Sequence, residues 1–268
     1  MFSADGYFTR IGWSGTLEPT LPVLAAILRA HITRIPWENL DVLLGRGVKL
    51  DLDSIYDKLV VARRGGYCYE HSTLLAAGLS HAGFKSVAHA ARVTFVRPRT
   101  EAPRTHMLLT VPIDGTTYMV DPGYGGHGPL VPMPLVADAV VLDGPGDAHR
   151  LVRHDSHWVL EAHIDGAWRS LWASTLEPES PADFVMANHF TATFPESRFV
   201  TMLLMRAVTA DGRRVSVSNR DVTIARDGVF EKSQLADRAA LRKLLADHFG
   251  FDLPEAERLK VPTIPEWD

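Results

Sequence analysis

The chain has 268 residues, enough for one large domain or two to three small ones with a substantial core. Its 28 basic and 32 acidic residues are interspersed, so no charge run points to a nucleic-acid or membrane surface. One cysteine excludes an internal disulfide framework and points to a reducing compartment. The start, MFSADGYFTRIGW, lacks the cationic and apolar regions of a signal peptide. No window reaches the roughly 20 apolar residues that span a bilayer. A cytoplasmic protein is expected.

Residues 1–83 read mainly as helix. In TLPVLAAILRAHITRI (20–35), Leu24, Ile27, Leu28 and His31 recur at helical spacing, Pro22 suits a first turn, and Pro36 forces a break. A second helix fits LDSIYDKLVVAR and a third CYEHSTLLAAGLSHAGF, capped by Gly83. From residue 84 the pattern changes. VAHAARVTFV, HMLLTVPI, TYMVD, HWVLEAHI and AWRSLWA are short, rich in β-formers and separated by turns, two of them Asp-Gly. They predict an antiparallel sheet or small barrel, with a long surface loop around 122–146. In the last part RFVTMLLMRAV, RRVSVSN and RDVTIARDG read as strands. SQLADRAALRKLLADHFG reads as a closing helix, with Ser233 as N-cap and Gly250 beyond its end.

The lone cysteine, Cys68, lies in RRGGYCYEH (63–71). A lone cysteine is usually a small buried hydrophobe. Here Gly65 and Gly66 allow a tight turn, Arg63 and Arg64 add positive charge, and a helical pattern begins at the sulfur. The first N–H groups of a helix favour a thiolate. A thiolate needs a base, and the base an orienting group. With Asp114-Gly115 as a two-residue turn, residue 113 faces 116, Asp121 faces Leu108, and His106 faces Gly123. His106 and Asp121 then become diagonal neighbours on one face, about 7–8 Å apart. Cys68, His106 and Asp121 form a Cys-His-Asp set, in which the carboxylate fixes the imidazole tautomer and stabilises the imidazolium. His154, His157 and His163 are assigned to structure: alternation would put 154 and 157 on opposite faces, so no metal is expected.

Seven segments carry a specific resemblance: YFTRIG (7–12), RIPWENLD (34–41), RRGGYCYEH, AARV (90–93), THMLL (105–109), VDPGYGG (120–126) and FPESRFVT (194–201). In this order they resemble the arylamine N-acetyltransferases of bacterial type. The resemblance implies an α+β fold: an N-terminal helical bundle (1–83), a central antiparallel β-barrel (84–184) and a C-terminal α/β lid (185–268), with a core like that of the cysteine proteases. It implies acetyl transfer from acetyl-CoA to aromatic amines or hydrazines by a ping-pong mechanism. Cys68 would be the acetylated nucleophile, His106 the base and Asp121 its orienter. Trp37, Val93, Tyr124 and Phe199 would line the acceptor pocket, and Gly123, Gly125 and Gly126 would approach the pyrophosphate end of coenzyme A. Glu38 and Arg64 would brace the site. No metal, nucleic acid or membrane is implied, and a homodimer is compatible. The family commonly has Phe where this chain has Trp37, Tyr69 and Tyr124, and a residue other than proline at Pro122; these departures bear on acceptor preference. A cysteine hydrolase or transglutaminase-like enzyme, or a non-catalytic protein binding CoA or aromatic ligands, is the alternative.

Overall fold

The computed structural model describes residues 1–144, 147–226 and 228–267. Helix α1 (Ala4–Ile11) starts where the Ser3 hydroxyl accepts from the Gly6 N–H. Helix α2 (Leu21–Arg34) has its proline in the first turn and stops at Ile35, before Pro36. A two-residue strand β1 (Trp37–Glu38) and a single turn α3 (Leu40–Leu43) follow. The second predicted helix forms as α4 (Leu52–Tyr56), capped by Asp51, and widens into a π-turn over Asp57–Val61. The third is α5 (Cys68–His81). These helices share one apolar core that includes Tyr7, Ile27, Leu28, Leu59, Leu74 and Leu75.

The middle of the chain forms a nearly closed antiparallel barrel of eight strands. They are β2 (Val87–Val93), β3 (Arg104–Ile113), β4 (Thr116–Val120), β5 (Met133–Pro134), β6 (Val140–Gly144), β7 (Asp147–His154), β8 (His157–Ile164) and β9 (Ala167–Ser174). Their order is β5-β4-β3-β2-β9-β8-β7-β6. Leu108, Met119, Leu151, Leu160, Leu171 and Trp172 belong to its apolar core. The expected surface loop at 122–146 is corrected: it contains β5 and β6, and Pro122, Leu130, Met133 and Asp143 are buried. Its prolines and glycines masked strands too short to show alternation. Residues 145 and 146 of that stretch lie outside the described residues. Strand β7 escaped the sequence reading, because DAHRLVRH is largely polar.

Helix α6 (Pro181–Thr193) spans the expected boundary at 184/185 and packs Phe184 into the first core. The segment RFVT, expected as strand, is a one-turn helix α7 (Arg198–Thr201). The Ser197 hydroxyl accepts from the Phe199 N–H and starts that turn. Strands β10 (Leu204–Val208), β11 (Arg214–Ser218), β12 (Asp221–Arg226) and β13 (Val229–Gln234) then form a sheet ordered β1-β10-β11-β12-β13. The closing helix α8 (Arg238–Leu244) begins later than expected. Ser233 lies in β13, and the cap is Asp237, whose carboxylate accepts from the Ala240 N–H at 2.8 Å. The helix continues as a π-turn to Gly250. Pairing of β1 with β10 joins the N-terminal helices to this last sheet. Among the described residues no helix is long and apolar enough to cross a membrane.

Candidate active site

Cys68 is the first residue of α5 and is 4% exposed. The turn before it is clamped to β1. Glu38 N–H donates to Gly66 O at 2.8 Å, and Gly66 N–H to Pro36 O at 3.3 Å. A Cβ on Gly65 would lie 2.2 Å from Pro36 O, so no other residue fits that approach. A buried charge network holds the clamp. Arg64 donates to Glu38 at 2.8 Å and to Asp41 at 2.6 Å. Lys58 bridges Asp41 at 2.9 Å and Glu70 at 2.8 Å, and Glu70 accepts from the Tyr67 N–H at the helix start. Burial lowers the proton affinity of Arg64 and Lys58, but the surrounding carboxylates outweigh it and hold both above their usual values. The expectation that Arg64 electrostatically assists Cys68 is therefore corrected: two carboxylates neutralise it. Arg63 is exposed, and its carbonyl accepts from Arg10.

The hairpin arrives in the expected register. Ile113 pairs with Thr116 and Leu109 with Val120, about an Asp114-Gly115 turn with φ of 48° and 80°. Asp121 follows β4 directly, and its Oδ2 accepts from His106 Nε2 at 2.8 Å. Trp172 Nε1–H donates to the same oxygen at 3.0 Å, and Gly123 N–H to Oδ1 at 3.3 Å. Burial disfavours the His106 imidazolium, but Asp121 and then Cys68 outweigh it and raise its pKa to about 10. At neutral pH His106 is thus a buried cation between a carboxylate and a sulfur. With Nε2 committed to Asp121, Nδ1 is the ring nitrogen left to serve Cys68, whose thiol donates to Thr105 O at 3.7 Å. A Cβ on Gly123 would lie 2.4 Å from Cys68 Cα, so the loop after Asp121 runs against the nucleophile's own backbone.

The other expected residues divide. Trp37 and Phe199 touch edge-on with centroids 5.6 Å apart, and Tyr67 adds a third ring 5.3 Å from Phe199. Tyr124 stands edge-on to His106 at 5.5 Å. Val93 pairs with Trp172, the indole that donates to Asp121, across β2 and β9. Trp37 Nε1–H donates to Gly123 O at 2.8 Å, joining the aromatic wall to the glycine segment. Gly125 and Gly126 line a cleft of about 390 Å³, open mouth included, with Trp37, Asp121, Arg206 and Arg214.

Sequence reasoning missed Trp172. A fully buried indole needs an acceptor, but nothing local says that the acceptor lies 51 residues away. It also missed a buried chain: Tyr7 OH to His31 at 3.0 Å, His31 to His71 at 2.9 Å, and His71 to Pro36 O at 3.1 Å. The expected separation of His154 and His157 is corrected. They lie on two strands, opposite one another across a hairpin turn, because the chain reverses between them. Among the described residues no group of three or more His, Cys, Asp or Glu could hold a metal ion.

Known proteins resemble this chain along most of its length. The chain matches the N-acetyltransferase family model over residues 20–258. It is 38% identical to arylamine N-acetyltransferase of Mycobacterium tuberculosis over 93% of this chain and 89% of that protein. Against the Escherichia coli arylamine N-acetyltransferase it is 35% identical over 94% and 89%. The solved structure of Mycobacterium marinum arylamine N-acetyltransferase in complex with CoA matches 95% of this chain and 94% of its own, with TM-score 0.89 and 35% identity. With the barrel, the helical layer and the last sheet all in common, this chain is an acyltransferase that belongs to the arylamine N-acetyltransferase family.

Proposed function

We propose that this enzyme moves an acetyl group from acetyl-CoA to aromatic amines or hydrazines in two half-reactions, through a thioester on Cys68. The carrying observation is the hydrogen-bonded His106–Asp121 pair held beside a cysteine at the first turn of α5. In the first half-reaction the Cys68 thiolate adds to the thioester carbonyl. The bond from carbonyl carbon to the CoA sulfur breaks, and that sulfur leaves with the proton of the His106 imidazolium. In the second, the amine nitrogen adds to the acetyl-cysteine carbonyl. The carbon–Sγ bond breaks, the nitrogen gives a proton to His106, and thiolate and imidazolium are restored.

Asp121 holds the imidazole by Nε2 and offsets its charge. The rings of Trp37, Tyr124 and Phe199, together with Val93, offer the acceptor an apolar wall, and Gly123, Gly125 and Gly126 line the donor side. An aromatic ring stacked on such a wall gains about 0.5–1.5 kcal/mol beyond its apolar burial. Alkylamines lack that gain and arrive protonated at pH 7. The three-part division at 1–83, 84–184 and 185–268 belongs to the same proposal. One apolar cluster is drawn chiefly from the last part and one from the barrel, while the first core also takes in Met107, Leu109, Val111 and Phe184 from the middle part. Cytoplasmic residence, which the single free cysteine favours, belongs to the proposal as well.

The test is mass spectrometry after mixing with acetyl-CoA alone. One acetyl group should appear on the peptide bearing Cys68, and an arylamine should discharge it. Cys68→Ala should fold, take up no acetyl and transfer none. An unmodified wild-type protein, or transfer by Cys68→Ala above a percent or so of wild type, would remove the covalent mechanism. Equal acetate release with and without amine would favour the hydrolase instead.

A further inference from the structure

Strand β10 carries a cation that the acetyl-transfer steps leave unused. Arg206 stands opposite Trp37 in the β1–β10 pairing, so the two side chains share a face of that sheet. Its side chain packs against the glycine segment. Arg206 Cγ lies 3.5 Å from where a Cβ on Gly125 would sit, and Nε 3.6 Å from that of Gly126. Nη1 donates to two backbone carbonyls, Met205 O and Val217 O, both at 2.6 Å. These bonds fix the guanidinium plane and leave Nε and Nη2 as its remaining donors. Arg206 lines the same cleft as Gly125, Gly126 and Arg214.

Three other cations near the site are matched by acids: Arg64 by Glu38 and Asp41, Lys58 by Asp41 and Glu70, Arg214 by Asp147; Arg198 instead donates to Met202 Sδ at 3.5 Å. Among the described residues no carboxylate pairs with Arg206. Its charged surroundings are positive instead. Burial and then Arg198 lower its proton affinity to about 10, and Arg206 and Arg214 together, after burial, lower that of His127. At neutral pH the guanidinium stays charged, so the fold keeps a half-buried cation held by two carbonyls and, among the described residues, paired with no acid. A cation held this way is offset when an anion binds, and a fork of fixed N–H donors suits a phosphate.

We propose that Arg206 anchors a phosphate group of the acetyl donor, binding it through Nε and Nη2 where Gly125 and Gly126 leave the backbone open. The inference rests on the acetyl-CoA reading above and adds to it the residue that recognises the nucleotide end. The ligand chemistry is a phosphate ester or anhydride, which inorganic pyrophosphate shares.

The experiment compares two donors with the same thioester, acetyl-CoA and S-acetylpantetheine, the second lacking phosphate. The readout is the ratio of their kcat/KM values for acetylation of Cys68. Arg206→Met should lower that ratio about 10- to 100-fold, mostly through the KM for acetyl-CoA, as expected for losing one charge-assisted contact. Arg206→Lys should recover part of it, keeping the charge but not the fork. A ratio unchanged in Arg206→Met overturns the proposal. The Nη1 bonds also hold strands together, so a second measurement uses the wild type. Inorganic pyrophosphate should inhibit acetylation by acetyl-CoA competitively and leave that by S-acetylpantetheine untouched; equal inhibition of both, or of neither, overturns the anchor. Acetylation by neither donor removes the function reading along with it, whereas acetylation with an unchanged ratio removes this inference alone.

Discussion

Replacing Asp121 by asparagine changes one oxygen to NH2 and leaves the side-chain shape almost intact. The carboxylate accepts three hydrogen bonds: from His106 and Trp172 on Oδ2 and from Gly123 N–H on Oδ1. An asparagine that keeps its oxygen at the Oδ2 position retains the first two. It then turns its NH2 toward the Gly123 N–H and loses the longest of the three. One buried donor left unmet costs about 1–3 kcal/mol, so urea unfolding at pH 7 should show a loss in that range. The loss in chemistry should be larger. With the charge gone, burial acts unopposed by Asp121, and the His106 imidazolium that now persists to about pH 10 is no longer held. The same exchange in a serine-protease triad costs about 10⁴ in rate, equivalent to about 5 kcal/mol. Steady-state arylamine transfer should therefore fall by several orders of magnitude while the fold survives. Alkylation of Cys68 by iodoacetamide at pH 7 should slow toward that of an ordinary thiol. A variant that keeps a tenth of wild-type transfer, with an unchanged alkylation profile from pH 5 to 9, would show that Asp121 only shapes a turn.

Gly123→Ala places a methyl group 2.4 Å from Cys68 Cα, a backbone contact that cannot swing aside. Expected are a stability loss of about 1–3 kcal/mol or more and slower acetylation of Cys68, read by urea midpoint and by mass spectrometry; wild-type values for both would refute the close approach. Acid should act through the buried chain of His31 and His71. Burial lowers His31 well below 6.5 and His71 to about 4. Both folded values lie below the unfolded one, so the stability they support is complete above about pH 6.5 and declines as pH falls toward 4, by up to about 1.4 kcal/mol per pH unit for each histidine. His71→Gln, whose amide can accept from His31 and donate to Pro36 O, should lose less stability between pH 7.5 and 5 than wild type. Parallel curves would show that His71 does not titrate in this range.

The sequence by itself determined the parts whose signals are local. The Asp114-Gly115 turn and the two-residue period of β-strands were enough to place His106 beside Asp121, because hairpin register propagates from adjacent residues. Helices α2 and α5 were legible from apolar spacing and from Pro22 and Pro36, so Cys68 could be set at a helix start. Where short polar or turn-rich stretches carried no period, the reading failed. Strands β5 to β7 hid in 122–154, and a serine cap turned Arg198–Thr201 into helix despite its β-forming residues. The tertiary structure alone decided which distant groups meet. It gave Arg64 to Glu38 and Asp41 rather than to Cys68, brought Trp172 onto Asp121 across 51 residues, and left Arg206 against the glycine segment with no carboxylate paired to it among the described residues. Such contacts depend on how sheets and helices stack, and stacking is set by the summed burial of whole faces, so no short run of residues encodes a particular pair.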